Sequence, residues 1–341
     1  MKNKFDVQNM LGSIDLLGQQ CLDAWQAMKN IKLPASYRQI NKVVLFGMGG
    51  SLLGMDVIKN LFAHELKVPV LIINDYFLPA YVDNNTLAIL SSYSGGTEET
   101  VLAAKKILGK TKKVFVITTG GFLQKFANQQ RLPMYLINPQ YNPCNQPRMA
   151  LGYSLVGQIS LFNKLGLIKI QDADIANIAK FLAQNIRANK QLAQQQAKKI
   201  KNKVPVFVAS EFLLGNAHIV ANQTNENGKN MATYFPIPEL NHHLMEGLGN
   251  PRANQKNFIF ILINSSLYYP RNRKRYAITK KVLAKNKVAN LEVKLSARNK
   301  ILQSFAVLQW GSYLSFYLSQ ANKIDPSPIP WVDYFKNELQ K

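Results

Sequence analysis

Short unbroken apolar runs alternate along this chain with longer stretches in which apolar residues return every three or four positions. In the first half the runs lie at 43–46, 69–73, 87–91, 114–118 and 134–137. Runs of this length without polar alternation predict strands buried on both faces of a parallel sheet. Between them Leu52, Leu53, Met55, Val57 and Ile58, and later Val101, Leu102, Ala103, Ala104 and Ile107, recur at helical spacing. Five strands with helices between them predict an α/β fold, a doubly wound parallel sheet that is flavodoxin-like in the broad sense. Ahead of this series Met10, Leu11, Ile14, Leu17, Cys21, Leu22 and Trp25 predict one amphipathic helix.

The pattern then repeats. Residues 151–168 and 173–203 read as helices, followed by a strand at 205–209, a helix from 211, strands at 257–263 and 289–295, and an apolar helix over 300–320. An internal echo supports a second copy of the fold: "LFGMGGSLLG" at 45–54 aligns without a gap to "VFVASEFLLG" at 206–215. The second copy lacks the glycine loop, so one half is expected to bind and the other to help build the site. We place the halves at 1–155 and 156–341.

Composition narrows the picture further. With 341 residues, 47% of them hydrophobic, the chain can bury two cores. The longest apolar helix candidate, 301–318, is interrupted by Gln303, Ser304, Gln309, Ser312 and Ser315, which predicts a buried helix and no membrane span. Cys21 and Cys144 have no metal-type spacing, and no leader is apparent, so a reducing cytoplasm is the expected compartment. The net charge of +23 alone would point to nucleic acid. Its lysines are scattered, however, with short clusters only at 198–203 and 271–275, and no aromatic residues interleave with them as on an RNA-binding sheet. A solvated lysine-rich surface accounts for the charge, and no specific nucleic acid partner is expected.

Two strand-to-helix turns carry candidate chemistry. In "KVVLFGMGGSLLG" the turn Gly47, Met48, Gly49, Gly50, Ser51 allows close approach of backbone to a ligand. In "LSSYSGGTEETV" the hydroxyls of Ser92, Ser94 and Thr97 precede a helix whose first N–H groups have no internal partners. Taken alone, the second turn reads more readily as an ordinary serine-rich cap. A third glycine for a dinucleotide fingerprint is missing, and no P-loop lysine follows. The pair therefore favours one phosphomonoester shared between the turns.

These residues resemble the sugar isomerase (SIS) domain, and two copies in a chain of this length resemble the bifunctional phosphoglucose/phosphomannose isomerases. Two further stretches sharpen the likeness: "NQTNENGKNMATYFPIPELNHHLMEGL" is similar to the family's Asn-Glu-Asn and Glu-Leu-Asn-His segment, and "DPSPIPWVDYFK" to its C-terminal Asp-Pro run ending in lysine. Leu52 and Leu53, Gly96 and Tyr93 depart from the family's usual residues. The resemblance implies an aldose-ketose isomerase that interconverts fructose 6-phosphate with glucose 6-phosphate and mannose 6-phosphate through an enediol, with no metal or cofactor. It implies Glu226 as the base between C1 and C2, His242 as a ring-opening group reaching the site from the other subunit of a homodimer, Lys336 as an aid to proton movement at the ring oxygen, and Arg148 beside the enediolate. Gly49, Gly50, Ser51, Ser92, Ser94 and Thr97 would hold the phosphate. Ser327, where the family often has threonine, would favour the mannose product.

Each of these residues also has a plainer reading. Glu226 could be a solvated helix-end glutamate, Arg148 a helix-start arginine after proline, and Lys336 surface charge, while His243 is a competing register for His242. His64 and His218 read as structural or surface groups. Two other functions stay open: isomerisation of an aminosugar phosphate on the same scaffold, and a SIS protein that binds phosphosugar without turnover.

Overall fold

The computed structural model describes residues 4–339 and 341. The first sheet is built from β1 (Lys42–Phe46), β2 (Val70–Ile73), β3 (Thr86–Ser91), β4 (Val114–Thr118) and β5 (Met134–Leu136). All pairs are parallel, in the order β2-β1-β3-β4-β5. That is the flavodoxin-type order, in which the chain reverses direction between β1 and β3. The N-terminal helix is in fact two, α1 (Met10–Asp15) and α2 (Leu17–Lys29), broken at Leu16. Asp15 ends the first, where its carboxylate accepts from Tyr313 Oη at 2.7 Å and Lys190 Nζ at 2.8 Å.

Apolar runs form strands here because both faces are covered. Helices α4 (Glu98–Ile107) and α5 (Gly121–Gln129) lie over Val44, Phe46, Ala88, Leu90, Val114 and Val116. The alternate residues Val43, Leu45, Leu87, Ile89, Phe115 and Ile117 enter the larger core with α3 (Gly50–Leu61) and α6 (Leu151–Lys164). Alternation within one strand thus feeds two cores. The expected boundary at residues 155 and 156 falls inside α6.

After the 29-residue helix α7 (Asp172–Ile200) the second sheet forms from β6 (Val204–Ser210), β7 (Thr233–Ile237), β8 (Phe258–Ser265) and β9 (Ala289–Leu295), parallel and ordered β7-β6-β8-β9. It repeats the first sheet without its last strand. The remaining helices are α8 (Leu214–Glu226), the short α9 (Leu240–His243) and α10 (Asn254–Asn257), α11 (Pro270–Lys285), α12 (Lys300–Ala321) and α13 (Pro330–Leu339).

Besides the four-residue α9 and α10, two longer elements escaped the sequence pattern. Strand β7 contains Pro236, which argues against a central strand, and its place at the sheet edge is what tolerates the missing donor. Helix α11 buries only Tyr276, Thr279 and Leu283, a stripe at three and four residues hidden among seven Lys and Arg. Helix α12 is buried nearly all round, with Trp310 Nε1 donating to Gln196 of α7 at 2.8 Å. Among the described residues, no helix is long and apolar enough to cross a membrane.

Helix α8 packs on α3 across the two halves. His218 Nδ1 lies 2.9 Å from Asp56 Oδ2, and its ring stacks on Tyr234 at 4.7 Å. This contact accounts for one of the four histidines as structural and fixes the far end of α8, whose last residue is Glu226.

Candidate active site

The two glycine- and serine-rich turns meet where β1 and β3 lie side by side, at the reversal point of the sheet where ligands of such folds collect. Ser51 joins them. Its Oγ accepts from the Tyr93 backbone N–H at 3.0 Å, and its carbonyl accepts from Ser91 Oγ at 2.9 Å. Ser92 organises the second turn from within: its Oγ accepts from Gly95 N at 3.1 Å and lies 2.7 Å from Thr97 Oγ1. Ser92 is therefore buried structure, while Ser94 faces solvent.

With Thr97 Oγ1 turned to Ser92, no side chain caps the start of α4, and Gly49 leaves the start of α3 equally open. Neither helix N-terminus at this corner has a side-chain cap; Ser51 N and Leu52 N at the start of α3 already donate to the Met48 and Gly49 carbonyls, and the remaining N–H groups with the helix dipoles favour an anion there. Gly95 is required by this geometry. Its φ is +72°, and a Cβ would sit 1.9 Å from the Gly120 carbonyl. Gly95→Ala is expected to lower unfolding stability by about 2 kcal/mol or more, measured by denaturant titration, and to raise KM for a phosphorylated substrate.

A charged cluster adjoins this corner. A Cβ on Gly50 would meet the Pro147 carbonyl at 3.1 Å and Arg148 N at 3.2 Å, so the start of α3 rests on the 147–149 turn. Arg148 is 3% exposed. It donates from Nε to Asn227 Oδ1 at 2.5 Å, from Nη1 to Gln146 Oε1 at 2.8 Å, and from Nη2 to the carbonyls of Pro326 and Ser327 at 2.9 and 2.8 Å. Its Nη1 stands 3.7 Å from Glu226 Oε1, the side chain of which is 36% exposed. Burial lowers the Arg148 pKa from its ordinary value, and the Glu226 carboxylate opposes that shift. Gln223 props the assembly, donating to the Arg148 carbonyl at 3.0 Å and accepting from Ser312 Oγ at 3.0 Å.

The structure thus brings Arg148, Glu226 and Ser327 together beside the two turns. Ser327 is buried, and among the described residues its hydroxyl has no hydrogen-bond partner. His242 is exposed on α9 and Lys336 on α13. Among the described residues, neither is hydrogen-bonded or ion-paired to Arg148 or Glu226. His243 instead faces Glu239 at 3.9 Å and Phe235, and His64 is at the surface.

One member of the cluster was not foreseen. Lys229 Nζ donates to the Glu226 carbonyl at 2.5 Å and to that of Pro328. Burial first, then the neighbouring Arg148, lowers its pKa to about 8. In the sequence the signal was a lysine three residues beyond Glu226, indistinguishable there from the many surface lysines.

Comparison with known proteins follows the same line. Residues 189–339 match the bacterial phospho-glucose isomerase C-terminal SIS domain. A bifunctional phosphoglucose/phosphomannose isomerase of Caldicellulosiruptor bescii is 34% identical over 342 residues, covering 97% of this chain and 98% of its own. A D-glucosamine-6-phosphate 4-epimerase of Sulfolobus acidocaldarius is 30% identical over 67% of this chain and 74% of its own. Among solved structures, tagatose-6-phosphate ketose/aldose isomerase from Escherichia coli shares the fold with a TM-score of 0.73, at 16% identity over 92% of this chain and 93% of that one. The phosphate-type turns, the Asn-Glu-Asn helix end and this end-to-end identity agree, and the chain belongs to the bifunctional phosphoglucose/phosphomannose isomerase family.

Proposed function

We propose that the chain interconverts fructose 6-phosphate with glucose 6-phosphate and mannose 6-phosphate, with Glu226 moving the proton between C1 and C2. The observation that carries this reading is a carboxylate 3.7 Å from a buried guanidinium, next to two helix N-termini without side-chain caps. Gly49, Gly50, Ser51, Ser94 and Thr97 hold the phosphate, with Ser92 shaping the turn around them. The phosphate is the end that does not react, so binding there orients the sugar carbons. The carboxylate takes a proton from one carbon and returns it to the neighbour. Arg148 keeps its charge throughout and lowers the energy of the enediolate. Reprotonation at C2 on either face gives the two aldoses, and Ser327 biases the choice. The reaction is placed in a reducing cytoplasm, consistent with two buried free thiols, Cys21 and Cys144.

His242 opens the ring from the partner subunit of a homodimer, and Lys336 assists at the ring oxygen. Support for a dimer comes from α13, whose Trp331, Tyr334 and Phe335 are 82%, 60% and 61% exposed on the helix that carries Lys336. Such a face is normally covered. Glu226→Gln and His242→Gln variants, each inactive, are expected to recover roughly a quarter of wild-type activity when unfolded and refolded together, because a mixed dimer has one intact site. No recovery, with mixed dimers demonstrated by mass, would place His242 in its own subunit's site.

The deciding assay starts from fructose 6-phosphate and detects glucose 6-phosphate and mannose 6-phosphate separately. Formation of both supports the reading. Binding of fructose 6-phosphate without either product supports a SIS protein that binds phosphosugar without turnover. A second enzyme reading, on an aminosugar phosphate, draws on the similarity to the D-glucosamine-6-phosphate 4-epimerase. Consumption of glucosamine 6-phosphate in preference to the neutral hexoses would favour it.

A further inference from the structure

We propose that Lys229 is a positioning residue of this site: it ties the end of α8, and so Glu226, to the carbonyl run 326–328 that also holds Arg148, keeping base and guanidinium opposed. The proposal rests on the isomerase reading above. Its first support is backbone conformation. Lys229 has φ of +50°, a region that favours glycine or asparagine after a helix, and it follows Gly228 directly. A lysine here accepts a backbone conformation that glycine would adopt more easily, as Lys287 and Lys323 also do, so the weight falls on what its side chain holds.

The second support is what that side chain grips. Arg148 holds the carbonyls of Pro326 and Ser327, and Lys229 holds the next one, Pro328, together with the carbonyl of Glu226. Two cations thus grasp three consecutive carbonyls, and one of the two reaches back to the catalytic helix. The charged groups facing Lys229 are Arg148 from the 147–149 turn, Glu226 from α8 and Asp325 from the C-terminal segment. Asp325 itself accepts from Ser327 N at 2.8 Å, which shapes the same run.

A half-buried ammonium beside a guanidinium is held against the solvent's preference, as site residues commonly are. It is charged below pH about 8 and neutral above. Its folded value lies below the ordinary 10.5, so on this group's account stability rises as pH rises from about 8 toward 10.5. An alkaline loss of activity near pH 8 therefore cannot come from Lys229-linked unfolding. A fall that Lys229→Met lacks would report loss of the tie.

The test uses the full chain with Lys229→Met, Lys229→Gln and Lys229→Arg, each checked by thermal melting, with kcat and KM for fructose 6-phosphate measured from about pH 6 to 9.5. Lys229→Met is expected to lower kcat about 30-fold with KM changed less than about threefold, because the phosphate turns are untouched. Its pH profile should lack the fall near pH 8 that is expected of the wild type. Lys229→Gln should resemble it, and Lys229→Arg should recover most of kcat and move the alkaline fall upward. Wild-type kcat and an unchanged alkaline limb in Lys229→Met would overturn the inference while leaving the isomerase reading standing. If Lys229→Met does not fold, Lys229→Arg decides: a shifted limb supports the tie, and an unshifted one overturns it. A wild type without turnover removes both readings together.

Discussion

Glu226→Gln is expected to lower kcat about a thousand-fold or more for both aldose products while the protein stays folded and still binds fructose 6-phosphate. The size follows from the role: a carboxamide has no basic form to accept a carbon-bound proton. The survival of the fold follows from the surroundings. The Glu226 side chain is 36% exposed, and its nearest charged neighbour, Arg148 Nη1, stands at 3.7 Å and is already bonded to Gln146 at 2.8 Å. Glutamine keeps the shape, so stability should change by less than about 1 kcal/mol. Two activities falling together would mean one base serves both. The coupled assay checks this, supported by the rate at which the sugar's C1 and C2 protons exchange with heavy water. If mannose formation persisted while glucose formation fell, a second base would have to exist, and the single-enediol scheme would be wrong.

Legibility in the sequence followed the strength of the physical signal. Strands β1, β3 and β4 are buried on both faces, so they read as unbroken apolar runs whose short length marks them as strands, and the turn after β1 announces itself by glycine. The duplicated order was visible in one gapless stretch because a strand and the start of a helix must keep their spacing. Strand β7 was hidden because an edge strand can carry Pro236, and α11 because its apolar stripe is narrow and its lysines and arginines many. For the candidate site, family landmarks singled out Glu226 and Arg148, but not how they are held. Beyond Gln146, two residues away, the hydrogen bonds of Arg148 run to residues 227, 326 and 327, separations that no local pattern can show. Lys229 was missed for the same reason: its partner Pro328 is 99 residues away.

That long-range bonding makes Arg148 the residue whose loss should do the most combined damage. Arg148→Met is expected to cost about 3–5 kcal/mol of stability and to abolish measurable turnover, because it strands the buried oxygens of Asn227, Pro326 and Ser327 as well as removing the charge facing Glu226. Such a variant cannot separate catalysis from folding. Arg148→Lys can. An ammonium keeps the charge but offers one nitrogen where the guanidinium spreads three over four acceptors, so it cannot serve Asn227 and both carbonyls at once. Stability should then fall by about 2 kcal/mol and kcat by about a hundred-fold, with KM changed little, read by denaturant titration and by the coupled assay. If kcat held while stability fell, charge alone would be what the enediolate needs, and the fork would serve only to seat the 326–327 run. If kcat fell with stability unchanged, the directed N–H groups would be the catalytic element. Pairing Arg148→Lys with Lys229→Met sharpens the choice. The two side chains hold adjacent carbonyls of one segment, so their effects on kcat should fall short of additive by tenfold or more, whereas independent sites would simply multiply.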